Sequence, residues 1–77
     1  MPKTFSGKKV VKILCREFGF FVVSQKGSHI KLTRTENGNK ITTVVPNHKE
    51  LATGTLRGAL DLAQISYEKF LKIANKK

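Results

Sequence analysis

The 77-residue chain is poor in several residue types at once: one cysteine, no tryptophan, one tyrosine, two prolines, two histidines and only five acidic residues. Each shortage closes off a class of chemistry. A lone Cys15 cannot form an internal disulfide and offers no second thiol for a metal pair, so a reducing compartment is expected and Cys15 reads as helix filling. His29 and His48 lie far apart in sequence with no carboxylate pair beside either. Zinc sites draw on three or four N, S or O donors, so no metal is expected. No glycine-rich loop stands between a strand and a helix, so no small-molecule or nucleotide cofactor is expected either. The carboxylate pairs of glycosidases are missing as well. No apolar run approaches the roughly 20 residues of a membrane span. Met1-Pro2-Lys3-Thr4-Phe5 leads into no signal-type stretch, and the expectation is a soluble, cytoplasmic protein. The length suits one domain over 1–77, near the size at which a single core yields only about 3 to 5 kcal/mol.

Positive charge is what the chain has in excess. Fifteen Lys and Arg against five Asp and Glu give a net charge of +10. Such a field attracts polyanions. Nucleic acid is the first candidate and an acidic protein partner the second. An anionic membrane is not expected, because the helices read as core-packing rather than as interfacial helices with aromatic apolar faces.

Read in order, Met1 to Phe5 has no periodicity and is expected to fray. Ser6 offers an N-cap oxygen, and Val10, Val11, Ile13, Leu14 and Phe18 recur at helical spacing until Gly19 ends the helix. Lys8, Lys9, Lys12 and Arg16 fall away from that stripe, as a solvated face or as part of a phosphate-binding surface. Phe20 to Gln25 reads as a strand, Lys26-Gly27 as a two-residue hairpin turn, and Ser28 to Arg34 as a second strand. Asn37-Gly38 centres the next turn, and Lys40 to Val45 forms a third strand that Pro46 terminates. A connecting loop covers 47–52. Thr53-Gly54-Thr55 is expected to cap a second helix with Leu56, Ala59, Leu60 and Ala63 on one face, and Gly58 is taken to mark close packing. Ser66 caps a last short helix, with Ile65 stapled onto Phe70, before 75–77 frays. The fold class is therefore α+β, in the order α-β-β-β-α with a three-stranded antiparallel sheet and a short extra C-terminal helix. Helices are expected on one sheet face, leaving the other free.

The alternation of a strand puts Ile30 and Leu32 on one face and His29, Lys31 and Thr33 on the other. If the first pair faces the core, an imidazole stands on the free face beside an ammonium. Histidine is the side chain whose ordinary pKa, about 6.5, suits proton transfer near neutrality. One reaction fits a basic surface with a histidine. In RNA the 2′-hydroxyl already sits beside the scissile phosphate, so a protein need only move protons and offset developing charge. His29 is the candidate base or acid, and Lys26 and Lys31 are candidates to hold the phosphate. His48 is a second proton carrier or simply a loop group. Ser28 forms no triad with His29, because neighbouring strand residues point to opposite faces.

Five stretches then carry a resemblance over nearly the whole chain: Gly7-Lys8, Gly19-Phe20, Gln25-Lys26-Gly27-Ser28-His29, Val45-Pro46-Asn47-His48 and Gly54-Thr55-Leu56. In this order the chain resembles the HicA toxins of toxin-antitoxin systems. The resemblance implies a double-stranded-RNA-binding-domain-like fold and an mRNA-cleaving ribonuclease covered by a HicB antitoxin. It implies a catalytic role for His29, with Lys26, Gly27 and Ser28 as the preceding turn. With Lys31, Lys8, Lys9 and His48 these complete the expected RNA-binding set. Phe21 stands where the family more usually has a polar residue, and Asn47 where a basic one is common. The rival readings are a non-catalytic double-stranded-RNA-binding module and a basic ribosome- or nucleoid-associated protein.

Overall fold

A computed structural model describes residues 4–76. The elements run α1 (Gly7–Glu17), β1 (Phe21–Lys26), β2 (His29–Glu36), β3 (Asn39–Pro46), α2 (Thr53–Leu62) and α3 (Tyr67–Asn75). The strands form an antiparallel sheet in the order β1-β2-β3. This is the α-β-β-β-α order with a further C-terminal helix that the periodicities predict.

Local chemistry sets most boundaries. The Ser6 hydroxyl accepts from the Lys9 N–H and starts α1, and Ser66 does the same for α3 through Lys69. Gly19, at φ +74°, closes α1 in the left-handed region that a Cβ resists. Asn37 and Gly38, at φ 53° and 80°, make the mirror-image turn whose twist matches a hairpin.

Several expectations are corrected. Lys26 is the last residue of β1 and pairs with His29, so the first turn is Gly27-Ser28. Only Gly27 carries positive φ there, at 59°, which is the II′ pattern with glycine first. Ala52, not a threonine, occupies the N-cap of α2 and makes no side-chain cap bond. Gly58 faces open space, with nothing beyond its chain neighbours and its own helix backbone within 4 Å of where its Cβ would stand. The last helix runs through Asn75, and the Lys76 N–H bonds the Ile73 carbonyl. Of the two ends expected to fray, residues 1–3 and 77 lie outside the described residues. Phe5 does not fray at all. It is buried, its ring meets Phe70 edge-on at 5.5 Å, and its carbonyl accepts from the Leu51 N–H.

One core lies between the sheet and the helices. Ile30, Leu32, Ile41 and Val45 meet Val10 and Leu14 of α1, Leu56, Ala59 and Leu60 of α2, and Phe70 of α3. Thr43 is fully buried among them, and its hydroxyl donates to the Ala59 carbonyl at 2.6 Å, which satisfies the only polar atom its side chain brings inside. The other sheet face carries no helix.

Candidate nucleic-acid interface

Register defines the uncovered face row by row. His29 lies between Lys26 on β1 and Pro46 on β3; Lys31 lies between Ser24 and Val44; Thr33 lies between Phe21 and Thr42. Paired residues share a face, so these side chains form one continuous surface. Lys26, His29, Lys31, Phe21 and Val44 are all exposed. Thr33 belongs to the same face but is not open. It is 4% exposed, and its hydroxyl donates to the Ile41 carbonyl at 3.0 Å. The central strand is flanked on both sides at that level, which hides a small side chain and leaves longer ones reaching solvent.

The histidine is held by its hairpin. The Gln25 side-chain amide donates to the Gly27 carbonyl at 3.3 Å, stiffening the turn. On the other side, the Asn47 N–H donates to the Ser28 carbonyl, tying the exit of β3 to the turn. Ser28 is thus a turn residue, with its backbone carrying the tie. None of the chain's five acidic residues occurs in the paired rows around His29. Glu36, at the far end of β2, bonds Arg34 at 2.6 Å. The strand rows on either side of His29 thus carry ammonium groups and no carboxylate.

The other predicted residues separate into two places. Lys8 and His48 come together with Ser6, Asn47 and Lys49 around an open hollow of about 270 Å³ at the start of α1. The Gly7 N–H donates to the His48 carbonyl at 2.8 Å, and Asn47 and His48 follow directly on Pro46, the strand partner of His29. Lys9 turns elsewhere. With Lys12, Ile13, Arg16 and Glu17 it lines a separate hollow of about 160 Å³ along α1. Sequence reasoning had set Asn47 beside His48 but missed Lys49 as a member of the first group, since no local pattern joins position 8 to position 49. Among the described residues no group of three or more His, Cys, Asp or Glu side chains is placed to hold a metal ion. Nor, among them, is any helix long and apolar enough to cross a membrane.

The fold is thus a small basic α+β domain with a cationic, helix-free sheet face and a histidine at the tip of its first hairpin. Residues 7–65 match the family model of the HicA toxin of bacterial toxin-antitoxin systems, and the chain belongs to that family. No curated protein and no solved structure matched it. A toxin of such a system has an antitoxin as its partner.

Proposed function

We propose that this toxin is a metal-independent endoribonuclease that cleaves mRNA in the cytoplasm, arrests translation and is neutralised by a HicB-type antitoxin. The observation that supports it most is the placement of His29: exposed at the hairpin tip, with Lys26 paired to it and Lys31 two residues along the same face. Residues i and i+2 of a strand stand about 7 Å apart, a separation over which one phosphate group can be shared.

In the reaction the 2′-hydroxyl oxygen attacks the adjacent phosphorus. Its proton leaves to a base, the P–O5′ bond breaks, and the leaving oxygen is protonated by an acid. His29 serves as base or acid, a role typically worth about a hundredfold to ten-thousandfold. Lys26 and Lys31 offset the charge that grows on the non-bridging oxygens. In this mechanism the RNA supplies its own nucleophile, the 2′-hydroxyl. The same surface suits an acidic antitoxin, which would exclude RNA by direct competition.

Replacing His29 with Ala tests the reading. The expected protein is folded, still binds RNA, and neither cleaves it nor arrests growth. Cleavage by the unmodified toxin survives a chelator, fails on DNA and on 2′-O-methyl RNA, and leaves a 2′,3′-cyclic phosphate. Full activity in folded His29→Ala, or cleavage abolished by chelation and restored by magnesium, overturns it. A second reading, non-catalytic binding of double-stranded RNA, is favoured by the element order and the exposed cations Lys9, Lys12 and Arg16 along α1. It predicts no cleavage by either protein.

A further inference from the structure

The hollow between the start of α1 and the exit of β3 is not used by the chemistry at His29. Five residues line it, two of them lysines and one a histidine, and none of the five carries a carboxylate. Glu50 is next in sequence to Lys49, but its carboxylate accepts from the Thr4 hydroxyl at 3.1 Å and is not part of the lining. The hollow is open to solvent and wide enough to admit a small hydrated oxyanion. Lys8 and Lys49 both line the hollow, so an anion placed in it is attracted by two ammonium groups at once.

The backbone fixes this hollow against the hairpin. Gly7 donates to the His48 carbonyl, and Asn47 donates to the Ser28 carbonyl, so α1, the β3 exit and the first turn are hydrogen-bonded in series. Gly7 is required at the first joint, because a Cβ there would overlap the Pro46 carbonyl. The N–H groups of Gly7 and Lys9 are taken by His48 and Ser6, which leaves fewer donors at the helix terminus and gives the cationic side chains the larger part in the binding. Lysine suits this role as a mobile point charge that neutralises phosphate without demanding a fixed geometry.

We propose that Lys8, His48 and Lys49 form a phosphate-binding subsite that grips the RNA backbone at a phosphate other than the one facing His29. The proposal rests on RNA being the ligand of the His29 face. The hollow and that face share Pro46 as a border, since Pro46 pairs with His29 and leads directly into Asn47. A single strand crossing the hairpin tip can therefore contact both. Asn47 lines the hollow as well, and a cation introduced there should strengthen the grip.

The test uses a labelled single-stranded 2′-O-methyl RNA, which lacks the free nucleophile and so reports binding without cleavage. Its affinity is measured against salt for four proteins: unmodified, Lys8→Ala/Lys49→Ala, Asn47→Lys, and a charge-matched control, Lys72→Ala/Lys76→Ala on and just after α3. Loss of the subsite lowers affinity about tenfold near physiological salt and flattens the slope of log affinity against log salt by about 0.7 for each phosphate no longer neutralised. Asn47→Lys moves both quantities the other way, and the control stays within about twofold of the unmodified protein on that same scale. If Lys8→Ala/Lys49→Ala, shown folded by circular dichroism, binds like the control, the subsite is overturned. It is overturned too if inorganic phosphate shifts the His48 and Lys49 resonances while RNA affinity ignores both variants, for the hollow then takes a free anion. Loss of affinity for an acidic antitoxin alone assigns the hollow to that protein and also overturns it. Because binding is read without cleavage, an active His29→Ala protein would overturn the ribonuclease mechanism and leave this result standing.

Discussion

Gly7 sits so close to Pro46 that no side chain fits between the start of α1 and the end of β3: a Cβ at position 7 would overlap the Pro46 carbonyl oxygen. In an ordinary helix, Gly to Ala stabilises by about 1 kcal/mol. Here backbone would have to move, and overpacking of that kind typically costs about 1 to 3 kcal/mol. Gly7→Ala should therefore lower stability, with the denaturant midpoint as the measure. Gly58 is the internal contrast. It lies within α2 with nothing near its absent Cβ, so Gly58→Ala should raise stability by about 0.4 to 1 kcal/mol. Equal shifts of the same sign in the two variants would show that the approach of α1 to Pro46 is looser than described.

Phe5 should matter as much as a residue of the helices. Its ring packs edge-on against the fully buried Phe70, and its carbonyl holds the loop before α2 through Leu51. Truncating a buried phenylalanine costs about 3 to 5 kcal/mol, comparable with the whole stability of a domain this small. Phe5→Ala is expected to be largely unfolded at 25 °C by circular dichroism. A cooperative transition close to that of the unmodified protein would contradict the packing.

Lys26 and Lys31 stand on the open face beside His29, and each should contribute to the salt dependence of RNA binding. Replacing either with Ala is expected to weaken binding and to reduce the log–log salt slope by about 0.7 for each single-strand phosphate that the lysine had neutralised. An unchanged slope in both variants would route the RNA elsewhere on the protein.

Partial burial of Cys15 pushes its thiol pKa up from the ordinary 9.0, because desolvation disfavours the thiolate. The folded state thus holds the proton more tightly than the unfolded one. Stability tied to this group is fully present below the unfolded pKa and declines as pH rises through the folded one. At pH 8 a thiol-specific reagent should modify the native protein more slowly than the denatured protein. Equal rates would place the thiol in solvent.

Features that depend on a few neighbouring dihedrals were legible in the sequence. Ser6 and Ser66 cap helices through their own third-following N–H, and Asn37-Gly38 turns because both residues accept positive φ. The strict alternation of a strand likewise put His29 and Lys31 opposite Ile30 and Leu32, since the period of two is a property of the extended chain itself. What the sequence alone left open were the encounters between distant segments. Phe5 had no periodic partner to announce its burial, because its neighbour Phe70 lies 65 positions away, at the opposite end of the chain. Thr33 was read as open because alternation assigns a face and says nothing of what flanks it. Gly7 and Gly58 look alike in sequence and differ only in what stands next to the missing Cβ. The meeting of Lys8 with His48 and Lys49 was decided by tertiary structure for the same reason: a backbone hydrogen bond between segments about forty residues apart sets it, and no local propensity reaches that far.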